Sequence, residues 1–306
     1  MDLTKYKFEG SEMNQKLLMG HPSGLFVLFF TEMWERFSYY GMRALLVLFL
    51  TSALLDGGWA WTREEALGLY GTYTMLVYFS PILGGLIADK FIGYRKAVAF
   101  GALIMTLGHA SMAMDTPWGL YLGIGCLVAG NGLFKPNITS IINGVYINAQ
   151  DKKDGAFTIF YMGVNAGAFL GIMLCGYIGE TIGWHWGFGL AGIFMFLGML
   201  QFWFAQGIFG NVGLAPTKEL DLSDAVDNQK GGTVQKVSDK VQRDRYTVVG
   251  ILAIFTVFFW AAFEQAGGSI TIFAADYTNR VLEGDSALLF RIANTLLTVI
   301  PLMIIT

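Results

Sequence analysis

Charge is scarce in this chain. Asp, Glu, Lys and Arg make up only 14% of its 306 residues, against about a quarter in a soluble domain. That excludes an ordinary soluble fold. Cysteine is nearly missing: Cys126 and Cys175 each stand alone in apolar surroundings, with no metal-ligand spacing. Histidine occurs three times, at 21, 109 and 185, and His109 and His185 read as packing or interfacial residues. No nucleophile–base pair, metal cluster or phosphate loop is visible. An enzyme is therefore not expected, nor is a metal or other cofactor. The net charge of −3 carries no nucleic-acid signal, because the charges are segregated by loop. The first 20 residues are polar and lack the apolar core of a signal peptide, so none is expected.

Apolar residues dominate instead. They form 54% of the chain, with 39 glycines and a mean hydropathy of +0.52. The expected fold class is all-α, a polytopic membrane protein. Apolar runs long enough to cross a bilayer place spans at about 24–51, 66–88, 97–114, 118–147, 156–180, 186–209, 246–275 and 286–306. Basic residues set the orientation. Lys5, Lys7 and Lys16 precede the first span; Lys90, Arg95 and Lys96 follow the second; Lys152 and Lys153 follow the fourth. Lys218, Lys230, Lys236, Lys240, Arg243 and Arg245 follow the sixth. The opposite loops hold only Arg63 and Arg280. The expected location is the cell membrane, multi-pass, with a cytoplasmic N-terminus. The layout predicts a six-helix bundle over 1–209, a cytoplasmic loop over 210–245 and the first two helices of a second bundle over 246–306, as in two-bundle transporters. The chain reads as a fragment or an incomplete second bundle.

Several constellations break the apolar pattern. Glu32, Glu35, Arg36, Tyr40 and Arg43 share one stripe of the first span. A charge at that depth costs roughly 2.5–3.5 kcal/mol on insertion scales and survives when paired or functional. The stripe must face a protein-lined, wet cavity, which favours a transporter over an anchor. Gly84 to Lys96 forms a short turn between spans two and three. In it, Gly85 would allow close helix approach, Asp89 would cap the next helix or pair with bases, and Gly93 would suit a tight turn beside Arg95. Its spacing resembles the helix 2–3 motif of the major facilitator superfamily. Lys135 lies deep beside Pro136, and Glu32 or Glu35 is its expected partner. Gly163, Gly167 and Gly171 form a small-residue seam, while Tyr161 and Asn165 lie on another face. Glu264 is a deep carboxylate one turn from Trp260; a proton-switchable pair with Arg43 is one reading and a permanent ion pair the other.

The run Glu32-Met33-Trp34-Glu35-Arg36-Phe37-Ser38-Tyr39-Tyr40-Gly41 resembles the E-x-x-E-R-F-x-Y-Y-G signature of the proton-dependent oligopeptide transporter family. The stretches at 84–108 and 157–171 resemble its two other signatures, and the Phe-Lys-Pro-Asn and Phe-Glu-Gln segments fit as well. The resemblance implies symport of protons with di- and tripeptides by alternating access. Glu32, Glu35, Arg36, Lys135 and Glu264 would couple protons. Arg43 would hold the peptide carboxylate and exchange with Glu264. Tyr40, Tyr78, Tyr161, Asn165 and Trp260 would line the cavity, with Gly85, Asp89, Gly93 and Arg95 as structural motif. The implied partners are peptides, protons and the bilayer, with a functional monomer.

The chain departs from the pattern in four places. No histidine falls on helix 2, and the 210–245 loop is too short and polar for two extra helices. Ile300 stands where relatives often carry an amine-holding Asn, for which Asn294 could substitute, and helices 9 to 12 are missing. The competing expectations are a same-fold transporter of nitrate or another small solute, and a non-transporting peptide receptor.

Overall fold

The computed structural model describes residues 6–14, 16–215, 239–279 and 281–305. Lys5, Arg280, most of the expected 210–245 loop, and the side chains of Asn294 and Ile300 lie outside the described residues. The rest is nearly all helical: α1 (Ser23–Thr51), α2 (Arg63–Ile87), α3 (Tyr94–Met112), α4 (Pro117–Val145), α5 (Gln150–Thr181), α6 (Trp184–Ala205), α7 (Asp239–Phe263), α8 (Ser269–Tyr277) and α9 (Gly284–Ile305). Before α1 lies a two-stranded antiparallel hairpin, β1 (Leu17–Leu18) and β2 (His21–Pro22), in the register Leu18 to His21. Met19 and Gly20 both have positive φ at its turn, the geometry that suits a two-residue hairpin.

Helix ends follow local chemistry that hydropathy does not see. Helix α2 starts at Arg63, three residues before its apolar run, because Thr62 and Glu65 form a reciprocal capping box. Thr116 caps α4, with Pro117 in its first turn. Helix α5 begins at Gln150 and extends charged turns beyond the apolar run. The expected span 246–275 is interrupted. Helix α7 ends at Phe263, a 3-10 turn follows at Glu264–Gly267, and α8 resumes at Ser269. Gly267 and Gly268 supply the reason, since two adjacent glycines each cost helix roughly 1 kcal/mol relative to Ala. Glu264 therefore sits at a helix break.

Helices α1 to α6 share one apolar core. α1 packs along α5 and α6, α2 along α4, and α3 against both α4 and α6. The α1–α5 contact is close because Gly163, Gly167 and Gly171 lie against Phe29, Met33 and Phe37, one per turn. A methyl at Gly167 or Gly171 would strike the α1 backbone at Met33 or Phe37. Among the described residues, five helical segments are long and apolar enough to cross a membrane: Arg63–Ile92, Pro117–Val145, Gln150–Thr181, Trp184–Phe209 and Lys240–Gly267. α1 is long enough at 29 residues, but its four charged side chains keep it outside that group. The close packing of α1 against α5 and α6 holds those four charges inside the bundle.

Candidate functional site

The α1 stripe is buried. Glu32 and Glu35 are 0% exposed, and Arg36 and Arg43 are each 6% exposed. Charges removed from water need partners in good geometry, and the fold supplies them. The Arg36 guanidinium forks onto Glu35: Nε donates to Oε2 and Nη2 donates to Oε1 at 2.5 Å. Such bidentate pairs are the strongest carboxylate contacts arginine makes. Arg36 Nε also lies 3.3 Å from Glu32 Oε1. From α4, Lys135 Nζ donates to that same oxygen. Two acids and two bases thus form one network. The second oxygen of Glu32, Oε2, is buried with no hydrogen-bond partner among the described residues.

Helix α4 reaches α1 through its fit to α2. Pro136 has no N–H to donate to the Gly132 carbonyl. That carbonyl instead lies directly against Gly84 of α2. Asn137 Nδ2 then donates to Leu133 O at 2.7 Å and to Gly84 O at 3.4 Å, joining the two helices.

A second cluster surrounds Arg43. Its Nη2 donates to the Tyr70 hydroxyl of α2 and to Glu264 Oε2 beyond α7, the latter at 2.5 Å. Its Nη1 lies 3.3 Å from the Tyr39 hydroxyl. Tyr78 of α2 donates to the other Glu264 oxygen at 3.0 Å. The Tyr39 ring takes one arginine at 4.6 Å, Arg36, and the other at 5.2 Å, Arg43, so it links the two clusters through cation–π contact. Among the described residues, Arg43 Nε is buried without a hydrogen-bond partner. Nearer the start of α2, Arg63 pairs with Asp276 of α8. Among the described residues, two ion pairs therefore join the first six helices to the α7–α8 segment.

The residues expected at a peptide cavity divide. Tyr40 and Arg43 line one cavity of about 420 Å³ between α1, α5 and the α7–α8 segment. Tyr78 and Trp260 stand together, ring centroids 6.1 Å apart, at the Glu264 cluster. Tyr161 and Asn165 do not join them. Tyr161 is exposed, and Asn165 bonds its own helix at the Tyr161 carbonyl, 2.9 Å away. Tyr39 and Tyr70 belong to the site and were absent from the expected set. The signal that points to Tyr70 is the stripe Tyr70, Thr74, Tyr78, four residues apart on α2. Among the described residues, no group of three or more His, Cys, Asp or Glu side chains converges as a metal site would need.

The Gly84–Lys96 turn behaves differently from expectation in two respects. Close helix approach belongs to Gly84, not Gly85; the Gly85 position faces Pro136 across nearly 4 Å of ordinary contact distance. Asp89 lies in a π-turn at Ala88–Ile92 and does not cap α3, whose N-cap Gly93 receives no side-chain bond. Asp89 lies beside the Tyr94 hydroxyl at the start of α3. Gly93 has φ +76° and lies against the backbone of Leu214 and Ala215, so a side chain there would be strained and obstructed. Arg95 holds the segment after α6, donating through Nη1 to Gly210 O at 2.7 Å and through its backbone N–H to Gly213 O at 2.9 Å.

Comparison with known proteins places this arrangement. Residues 95–226 match the family model described as PTR2, POT family. "Peptide transporter YePEPT" from Yersinia enterocolitica subsp. palearctica serotype O:3 (strain YE-P4) is 32% identical over 329 aligned positions, covering 88% of this chain and 63% of that protein. The chain belongs to the POT family. A second POT-like relative, a "Di-/tripeptide transporter" from Lactococcus lactis subsp. cremoris, is 35% identical over 213 positions, covering 68% of this chain and 42% of its own. A solved POT family transporter in complex with thioalcohol conjugated peptide is 34% identical, with a TM-score of 0.63, over 85% of this chain and 51% of that one. The fold is accordingly the all-helical transporter fold of the POT family, and the chain is a multi-pass membrane protein. It spans less than two thirds of the length of these relatives.

Proposed function

We propose that this chain forms the N-terminal bundle and the start of the second bundle of a proton-coupled symporter of di- and tripeptides. It would work by alternating access, in a cell membrane with its N-terminus cytoplasmic. The carrying observation is the Arg43–Glu264 pair, which joins α1 to the helix break after α7. The named activities of the relatives support the cargo class. The excess of lysine and arginine in alternate loops supports the orientation.

The chemistry follows from charge. A proton on Glu264 cancels its negative charge and frees Arg43 to take a peptide carboxylate. Loss of that proton restores the pair and expels the carboxylate. Tyr70 and Tyr39 keep the guanidinium in place during the exchange. The Glu32–Glu35–Arg36–Lys135 network offers a second site where one proton changes which base each acid holds. The membrane potential supplies about 2.3 kcal/mol per charge per 100 mV, so protons moving inward can drive accumulation. Main-chain termini are common to all peptides, which lets fixed charges accept many side chains.

The test is uptake of labelled dialanine by the full-length protein in sealed liposomes. Arg43→Ala is expected to abolish uptake. Glu264→Gln is expected to lose gradient-driven uptake and keep some exchange; gradient-driven uptake at the wild-type level in Glu264→Gln would overturn this role for Glu264. Competition by nitrate in place of dipeptides would move the reading to a small-anion carrier.

A further inference from the structure

The chain ahead of α1 lies outside every helix yet packs like core. Phe8 is 3% exposed and Met13 is 0% exposed. Asn14 fixes the loop between them. Its Oδ1 accepts from the Phe8 N–H at 2.9 Å, and its Nδ2 donates to the Phe8 carbonyl at 3.0 Å. The Phe8 ring then stands edge-on to Tyr146 at the end of α4, with centroids 5.2 Å apart. Met13 lies with Phe209 against Gly24 of α1. Polar bonds reach the same helix ends. A helix leaves its last carbonyls without donors of its own. The Glu9 N–H donates to such a carbonyl, Val145 O of α4, at 3.1 Å. In the turn that follows α6, Ile208 O accepts from the Ser11 N–H at 3.0 Å and Gly207 O accepts from the Ser11 hydroxyl at 3.0 Å. Tyr6 donates to Asp151 in the first turn of α5 at 2.8 Å. One short segment thus clasps the ends of α1, α4, α5 and α6.

His21 closes this clasp. It is buried, and its ring packs beside Gly155 of α5. From the end of α4 it meets the Tyr146 hydroxyl, 2.7 Å from Nδ1. From α5 it meets the charge of Lys152. Within the segment itself, Lys16 turns to Glu12 at 3.0 Å. A proton on His21 therefore sets a second cation near Lys152, in a place shielded from water. The ring reaches water only by lifting the segment off α4 and α5. The consequence travels along α4. Pro136 interrupts the bonding of that helix, and Val145 lies about 15 Å along it from Lys135. With its far end released, α4 can pivot at Pro136 and carry Lys135 away from Glu32, its partner in the buried network.

We propose that the segment from Tyr6 to Pro22 is a clasp on the cytoplasmic end of the bundle, and that proton binding at His21 opens it and slows transport. The inference rests on the transport reading and on the cytoplasmic N-terminus proposed above. Its effect is a brake: protons that enter with peptide acidify the inside and slow further entry.

The experiment uses the full-length protein in sealed liposomes with equal pH on both sides, so that no gradient drives transport. Exchange of labelled for unlabelled dialanine is measured at about pH 7.5 and about pH 5.5, which bracket the ordinary histidine range. The proteins are wild type, His21→Asn and Tyr146→Phe. Hydrogen exchange of residues 6–14, corrected for intrinsic rates, reads the clasp in the same samples. At the higher pH, wild type and His21→Asn are expected to exchange dialanine at similar rates. At the lower pH, wild type should fall to about half the His21→Asn rate or less, as titration of one histidine between the two values requires. Residues 6–14 should lose protection there in wild type and keep it in His21→Asn. Tyr146→Phe removes the hydroxyl that steadies the neutral ring and should move the wild-type fall to higher pH. Matching pH profiles in wild type and His21→Asn, an unshifted profile in Tyr146→Phe, or loosened residues 6–14 with unchanged transport would each overturn the proposal. No dialanine exchange by wild type at either pH would overturn the peptide reading. Hydrogen exchange then decides the clasp alone, and protection in wild type that ignores pH would overturn it.

Discussion

Arg36 and Arg43 lie two turns apart on one helix and do different work. Arg36 neutralises acids on its own helix, Glu35 and Glu32, whereas Arg43 reaches other elements through Tyr70 and Glu264. Removing Arg36 leaves two buried carboxylates with Lys135 alone. Breaking a buried pair in this way costs roughly 3–5 kcal/mol. Arg36→Ala should therefore lower the thermal denaturation midpoint in detergent markedly, and raising the proton concentration should restore part of it by neutralising the acids. A second residue-scale prediction concerns His21, which precedes α1. Its Nδ1 pairs with the Tyr146 hydroxyl at 2.7 Å. Burial, and then the Lys152 charge, hold its pKa below the ordinary 6.5. The folded state thus prefers the neutral ring, and the unfolded state binds the proton more readily. The stabilisation is complete above about pH 6.5 and declines as pH falls below it toward the folded value. Hydrogen exchange of residues 16–22, corrected for intrinsic rates, should speed up over that window in wild type and lose this dependence in His21→Asn.

At the scale of elements, helix contacts are set by where a side chain is missing. The α2–α4 crossing depends on Gly84, which lies directly against the Gly132 carbonyl; Gly85 one position on has room for a methyl. Gly84→Ala should destabilise the bundle by a few kcal/mol or displace Lys135 from Glu32, as overpacking does. Gly85→Ala should be close to neutral. Thermal melts of the two variants side by side decide this, and equal melting would refute the assigned packing. The same logic places Glu264. A continuous helix through 246–275 would satisfy every backbone group internally, whereas the break at Glu264–Gly267 leaves a locally irregular backbone. Such irregular backbone inside membranes is tolerated where protein or water lines it. A break beside an ion pair gives that pair a place to move.

At the scale of the whole molecule, the first six helices form one packed body, and the α7–α8 segment is joined to it by Arg43–Glu264 and Arg63–Asp276. Alternating access requires such joints to open and close together. With an acidic outside, the full-length protein in liposomes should accumulate labelled dialanine above its equilibrium level, and a protonophore should collapse that accumulation.

Membrane residence, the helical class and the identity of the charged residues were legible in the sequence, since each depends on local quantities. These are the length of an apolar run, the cost of a charge in hydrocarbon, and the spacing of residues along one helix. The sequence narrowed the partners of those charges, to Glu32 or Glu35 for Lys135 and to Glu264 for Arg43, and tertiary structure chose among them and added the rest. Lys135 takes Glu32, 103 positions away, and Tyr70 joins Arg43 from α2, the helix on which the sequence had singled out Tyr78 but not Tyr70. Gly84 rather than Gly85 forms the contact because one residue turns a helix face by about 100°. Spacing along a helix says which residues share a face; the rotation of each helix against its neighbours, set by the packing of the whole bundle, says what that face meets.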